Sequence, residues 1–272
     1  MVTQSESSYV ASEMPSGLED EIERLRRQAL LAWEKEGRNL TWFGLRDGMS
    51  VLELGSGPGF VTGQLLEMVP NGSVTGLEID PVLIKRAEKY LQGKGEGRWR
   101  IVKGSIMSME FPDNSFDFAF ARLLFQHLPD PVGAAKEVLR VLKPGGKLVI
   151  SDIDDKLHLF DPPAPPEVEA IQERFREDQA KKGGNRYIGR RLLRIMKEAG
   201  FRNMDLEMLM LHNEVVDTEQ LIPRDIHNEI ESLVKAGMVN QQEADMMLAD
   251  HEHFMASDPI IMIHFLMACG EK

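Results

Sequence analysis

The chain of 272 residues is poor in cysteine, in positive charge and in long apolar runs. Its one cysteine, Cys269, forbids any internal disulfide and fits a reducing compartment. The apolar neighbours Phe265-Leu266-Met267-Ala268 make it a packed, inert thiol rather than a nucleophile. No apolar run approaches the roughly 18 residues that a membrane span needs. The first residues, Met1 to Glu6, lack the basic-then-apolar order of a signal peptide. Lys and Arg number 32 against 44 Asp and Glu, a formal net charge of −12, and such a field repels nucleic acid. The two densest basic stretches, residues 24–27 and 190–194, sit in helical patterns and read as solvated helix faces. These absences lead to the expectation of a cytoplasmic protein, monomer or homodimer, acting on a small molecule without nucleic-acid or membrane partners.

What is present is an alternation of short apolar runs with helical patterns. Leu18, Ile22, Leu25, Ala29 and Ala32 recur at helical spacing, so residues 18–43 read as one or two helices. Strands are expected at 51–54, 73–79, 99–103, 116–121 and 147–151. Helices are expected at about 60–69, 81–91 and 131–142, the last stopped by Lys143-Pro144-Gly145-Gly146. The pattern calls for a parallel sheet covered on both faces. Beyond the Pro-rich connector 161–166, helices are expected at about 167–182 and 189–199 and within 217–256. Strands are expected at 204–210 and 260–267.

Between the first strand and its helix lies Gly55-Ser56-Gly57-Pro58-Gly59. Glycine there permits a tight turn and lets a ligand lie on bare main chain, while the helix start adds unpaired N–H donors. The spacing does not fit a dinucleotide site, because Phe60 stands where the third glycine belongs, and the Gly-Lys-Ser/Thr ending of a P-loop is absent. Glu53 at the strand end repels a pyrophosphate and attracts an ammonium. Glu78, ending the second strand, can accept two hydrogen bonds from ribose hydroxyls. The two favour a ligand with a ribose and an amino group but no phosphate.

Five elements occur in order: Glu53 to Gly59, Glu78, Gly104-Ser105, Phe111 to Asp117, and Glu137 to Gly146. In this the chain resembles the class I S-adenosylmethionine (SAM)-dependent methyltransferases, in the small-molecule branch similar to ubiquinone/menaquinone-type enzymes. The resemblance is strong over about 45–152 and weaker over 185–201. It implies an α/β fold, a doubly wound, seven-stranded, mostly parallel Rossmann-like sheet whose last strand is antiparallel. An N-terminal helical lid (1–44) would precede a SAM-binding domain (45–272) with substrate-pocket insertions at about 156–188 and 213–256. SAM would be the cofactor and S-adenosylhomocysteine the product. By motif match, Glu53 and Gly55 would face the methionine part, Glu78 the ribose, and Ile79 and Ile106 the adenine, with Ser56, Gly57 and Gly59 as further cofactor contacts. Ser105 stands where the family usually has an Asp reaching the adenine amino group. Tyr9, Arg24 and Gln28 are candidate lid contacts, the alternative being simple packing of that helix on the sheet.

Methyl transfer by in-line displacement needs alignment more than a reactive side chain. His127, after the fourth strand, is the candidate base, with a capping or packing histidine as the alternative. Arg122 either holds the carboxylate of SAM or forms a surface ion pair. Asp152, Asp154 and Asp155 end the fifth strand, where they receive a cationic amine, orient a polar substrate, bind a metal with His158 (though no compact ligand motif supports that) or form a solvated acidic loop. Arg186, Tyr187 and Arg190 are candidate substrate contacts. Met238, Met246, Met247 and Met255 either line an adaptable pocket or pack as core. No metal site is expected: His251 and His253, two apart on a helix, face different ways. Two other functions compete, a non-catalytic SAM-binding accessory protein and a nucleotide-dependent oxidoreductase.

Overall fold

The computed structural model describes residues 9, 17–216, 221, 226–235 and 237–272. The other residues of the expected lid (1–8 and 10–16) and of the second insertion (217–220, 222–225 and 236) lie outside the described residues. Two helices open the chain, α1 (Leu18–Leu31) and α2 (Trp33–Phe43). The alternating core follows: β1 (Ser50–Leu54), α3 (Phe60–Met68), β2 (Ser73–Glu78), α4 (Pro81–Leu91), β3 (Trp99–Lys103), β4 (Phe116–Arg122), α5 (Pro131–Val141) and β5 (Leu142–Ile153). Then come β6 (Leu159–Asp161), α6 (Pro166–Lys181), α7 (Leu192–Ala199), β7 (Arg202–His212), α8 (Ile226–Lys235), α9 (Gln241–Ala256) and β8 (Ile260–Glu271).

The sheet runs β3-β2-β1-β4-β5-β8, with β7 on the far side of β8. The strands from β3 to β5 are parallel, and β8 is antiparallel to β5 and to β7. Burial on both faces explains the near-continuous apolar strands. Phe118 and Phe120 enter the core under α1, α2 and α3, whereas Ala119 and Ala121 enter the core under α5 and α7. Helix starts are set locally: Pro81 and Pro131 occupy first turns, and the Asp80 and Asp130 carboxylates accept from the N–H groups of Val82 and Gly133.

Two details go beyond the expectation. The seven expected strands are present, and among the described residues one short strand, β6, joins them as an eighth. β8 is longer than the stretch that β5 pairs, leaving its first residues an open edge, and the short β6 fills it at Ile260–Met262. The fifth strand also begins earlier than 147. The register jumps from Phe116↔Leu142 to Phe118↔Lys147, and Gly145 and Gly146 bond to Lys272 at the end of β8, so the turn is absorbed into the strand. α8 and α9 form a satellite core of Ile230, Leu233, Val239 and Ala244, against which Met238 and Met247 pack, while Met246 is exposed. No helix among the described residues is long and apolar enough to cross a membrane.

Candidate active site

The strand order reverses between β1 and β4, which opens a crevice at the carboxyl ends of β1, β2 and β4. The glycine loop lines it. Gly55, Gly57 and Gly59 all have positive φ (67°, 53° and 83°), which L side chains rarely adopt. Their surroundings differ. A Cβ on Gly59 would meet Ala87 at 3.0 Å, so this glycine lets α3 and α4 pack closely. A Cβ on Gly57 would meet nothing within 4 Å, so this glycine keeps open space open. The loop is pinned from below, with Gly55 N–H and Ser56 N–H donating to Leu77 C=O at 2.9 and 3.1 Å. Among the described residues the Ser56 hydroxyl, buried there, has no hydrogen-bond partner.

Two buried carboxylates flank the loop. Glu53, at the end of β1, accepts from the Thr62 hydroxyl at 2.5 Å. Burial, with Glu78 nearby, pushes its carboxyl up to about 8. Glu78, at the end of β2, accepts from Gly57 N–H at 2.8 Å through one oxygen, and from Ile79 and Asp80 N–H at 2.8 and 2.9 Å through the other. Burial raises its carboxyl too, against those three donors. Glu78 thus fixes the glycine loop as well as facing the crevice. Beside it Ile79 is 41% exposed, unusual for isoleucine, while Ile106 is buried. The Ser105 hydroxyl accepts from Met107 N–H at 3.2 Å.

The N-terminal helices are latched to the sheet. The guanidinium of Arg122, at the end of β4, donates through Nε to both oxygens of Glu36 (2.9 and 2.8 Å) and through Nη2 to Gln28 C=O (2.8 Å). The Ser151 hydroxyl completes the shell of Glu36 at 2.8 Å. This pair is buried, so the surface ion pair considered for Arg122 is not what forms. On α1, Glu21 receives Arg24 through Nε and Nη2 (2.7 and 2.6 Å) and the Tyr9 hydroxyl (2.5 Å). Burial and the neighbouring Glu21 raise the pKa of Tyr9.

His127 lies on a short 3-10 turn after β4, 5.5 Å from the Tyr9 ring, with Gln179 Nε2 3.4 Å from its Nδ1. Burial first, then the charges of Arg186 and Arg24, lower it to about 4, so the imidazole is neutral at pH 7. Asp152 supports that turn by accepting from Gln126 N–H at 3.1 Å, and burial raises its carboxyl to about 7. The acidic loop is not solvated. Asp154 is fully buried and held by Arg190 through Nε and Nη2, both at 2.6 Å. Asp155 is buried and held by Arg186 through Nε and Nη2 at 2.5 and 3.0 Å. Against the cost of its own burial, His158 and Arg186 keep the Asp155 carboxyl below the usual range. Tyr187 donates to Glu173 at 3.2 Å and lies under the guanidiniums of Arg176 and Arg190. Among the described residues no group of three His, Cys, Asp or Glu side chains gathers as metal ligands. The Cys269 thiol is buried, and burial pushes it up to about 11, as befits a packed thiol.

Sequence reasoning missed Thr62, Glu36, Glu21 and Gln179. For two of them a signal existed: Glu36 shares a helical stripe with Leu40 and Phe43, and Glu21 with Leu25 and Ala29. A carboxylate on an apolar stripe predicts a buried ion pair.

Residues 52–150 match the methyltransferase-domain family. The matched stretch, from β1 to within β5, is similar to class I SAM-dependent methyltransferases. Over 104 residues the chain is 40% identical to a sterol 24-C-methyltransferase of Aspergillus fumigatus, a match covering 38% of this chain and 27% of that protein. Over 120 residues it is 33% identical to the demethylmenaquinone methyltransferase of Anoxybacillus flavithermus, covering 44% and 50%. The matches therefore span half or less of these relatives' lengths. A crystal structure of a SAM-dependent methyltransferase from Aquifex aeolicus superposes with a TM-score of 0.52 at 27% identity, covering 67% of this chain and 88% of that one. S-adenosylmethionine is the cofactor of this methyltransferase family, and the residues present fit it. The loop leaves space over Gly57, the orphaned Ser56 hydroxyl lies within it, and neither flanking carboxylate has a cationic partner within ion-pair distance among the described residues.

Proposed function

We propose that the chain transfers a methyl group from SAM to a small-molecule acceptor. The observation that carries this reading is the open main chain at Gly57 between two buried carboxylates that have no ion-pair partner among the described residues. Glu53 would hold the amino end of the cofactor and Glu78 its ribose hydroxyls. When bound, SAM supplies the electrophilic methyl of its sulfonium. The chain's own residues align and shield. The Arg122–Glu36 latch fixes α2 over the carboxyl ends of β4 and β5, and Tyr9 covers His127. Orientation in such a site contributes roughly 7–11 kcal/mol to a displacement. His127, neutral down to about pH 4, can accept the proton of a nucleophile that arrives protonated.

Calorimetry with S-adenosylhomocysteine, then a radiolabelled-methyl screen of phenols, amines and carboxylic acids, tests the reading. Binding and transfer are expected, with a rate that holds between pH 5 and 7 and falls toward about pH 4 as His127 protonates. Binding without transfer across the screen would favour a non-catalytic accessory role. No binding at all would sink both.

A further inference from the structure

Three arginines at the catalytic edge share one arrangement. Arg24, Arg186 and Arg190 each give Nε and Nη2 to the two oxygens of one buried carboxylate, respectively Glu21, Asp155 and Asp154. A planar guanidinium gripped along that edge turns Nη1, with its two N–H donors, away from the carboxylate. The carboxylates are buried behind while the arginine side chains remain partly exposed, Arg24 at 38% and Arg186 at 31%. Two of these braced arginines flank His127. On one side, Gln179 links them, with Nε2 3.4 Å from His127 Nδ1 and Oε1 3.5 Å from Arg186 Nη1. On the other, the Tyr9 ring lies against His127 while its hydroxyl shares Glu21 with Arg24.

The carboxylates on this side are already engaged. Asp152 accepts main-chain N–H groups, Asp154 holds Arg190 and Asp155 holds Arg186, so none of these three is left to receive an ammonium on the acceptor. What faces forward is N–H donors on rigid cationic supports, a geometry that selects planar or tetrahedral oxyanions.

We propose that Arg24 and Arg186 form a clamp beside His127 for an oxyanion, a carboxylate or phosphate group carried by the methyl acceptor. This rests on the methyltransferase reading above, and it names the acceptor class. His127 is lowered first by burial and then by both arginine charges, and the second contribution agrees with a locally positive field.

The test uses the full chain saturated with S-adenosylhomocysteine, whose binding is confirmed first by calorimetry. If that ligand does not bind, the methyltransferase reading fails, and the clamp is then read on the protein alone. Ligand-observed NMR is run on matched probes: aryl and alkyl carboxylic acids against their primary amides, and phenyl phosphate against phenol. At least a tenfold preference for the anionic member is expected, and the arm with the larger ratio separates carboxylate from phosphate. Arg186→Gln and Arg24→Gln should each reduce the ratio at least threefold while neutral probes bind unchanged. Should Arg186→Gln fail to fold, Arg186→Lys keeps the charge without the fork and should still lower the ratio. Equal binding of acids and amides, a preference for amine probes, or a ratio insensitive to the folded variants would overturn the clamp.

Discussion

The carboxyl ends of β1 and β2 and the carboxyl end of β5 both present acidic side chains, yet they treat them in opposite ways. Glu53 and Glu78 are satisfied by a hydroxyl and by main-chain N–H groups alone, and burial raises both. Asp154 and Asp155 are gripped by arginines from residues 186–190, and Asp155 is held low. A buried carboxylate without a cation is costly, so it persists where a ligand is to supply the charge. A carboxylate already paired with arginine cannot serve a cationic ligand, but it stiffens the arginine for an anion. Asp152 belongs with the first pair in chemistry though not in place, since the main-chain N–H groups of Gln126 and Ile153 hold its carboxylate.

The comparison can be broken most forcefully at the latch that holds α2 over the sheet. Glu36→Leu leaves Arg122 buried with its charge unpaired and should cost about 3–5 kcal/mol of stability by urea unfolding. By contrast Lys156→Ala, which removes one partner of the solvent-exposed Lys156–Glu169 pair beside the acidic loop, should cost no more than about 1 kcal/mol. If the two losses are equal, the distinction between a buried latch and a solvated brace fails.

Next comes the glycine loop. Gly57→Val should weaken S-adenosylhomocysteine at least ~100-fold, about 2.7 kcal/mol, by filling the space over the main chain. Gly59→Val should instead unfold the protein more readily, because its side chain runs into α4. Calorimetry and thermal melts on both variants separate the two roles, and unchanged affinity in Gly57→Val would remove the loop from the cofactor site.

A smaller effect sharpens the contrast through pH. Because the folded Glu53 carboxyl sits near 8, above its ordinary value of 4.5, its neutral form favours folding. That contribution is complete below about pH 4.5 and is lost as pH rises to about 8. Glu53→Gln removes the loss and should be more stable than the natural chain at pH 9, by on the order of 2 kcal/mol, with little difference at pH 4. Cofactor affinity should move the other way. The natural chain should bind S-adenosylhomocysteine more tightly as pH rises toward 8, and the glutamine variant should show no such rise. Equal pH profiles would mean that Glu53 faces no ammonium.

Most of the sheet was legible because each of its strands and helices announces itself locally. Apolar runs, glycine stops and the prolines at 81 and 131 place the strands and helices from 50 to 153 within a few residues, apart from the start of β5. The cofactor crevice was legible for the same reason, since Glu53, the three glycines and Glu78 lie at the ends of two neighbouring strands. The partners of the acidic loop were not legible. Asp155 meets Arg186 across 31 residues, and Arg122 meets Glu36 across 86. No local pattern encodes a contact at such separation.

The sequence by itself determined the order of strands and helices, the positive-φ turn after β1 and the acidic residues at the strand ends, because these follow from short-range backbone preference and apolar spacing. Only the tertiary structure decided which of those carboxylates find a cation. Ion pairing depends on which distant side chains the sheet brings within a few ångströms and on how much water the packing leaves around them.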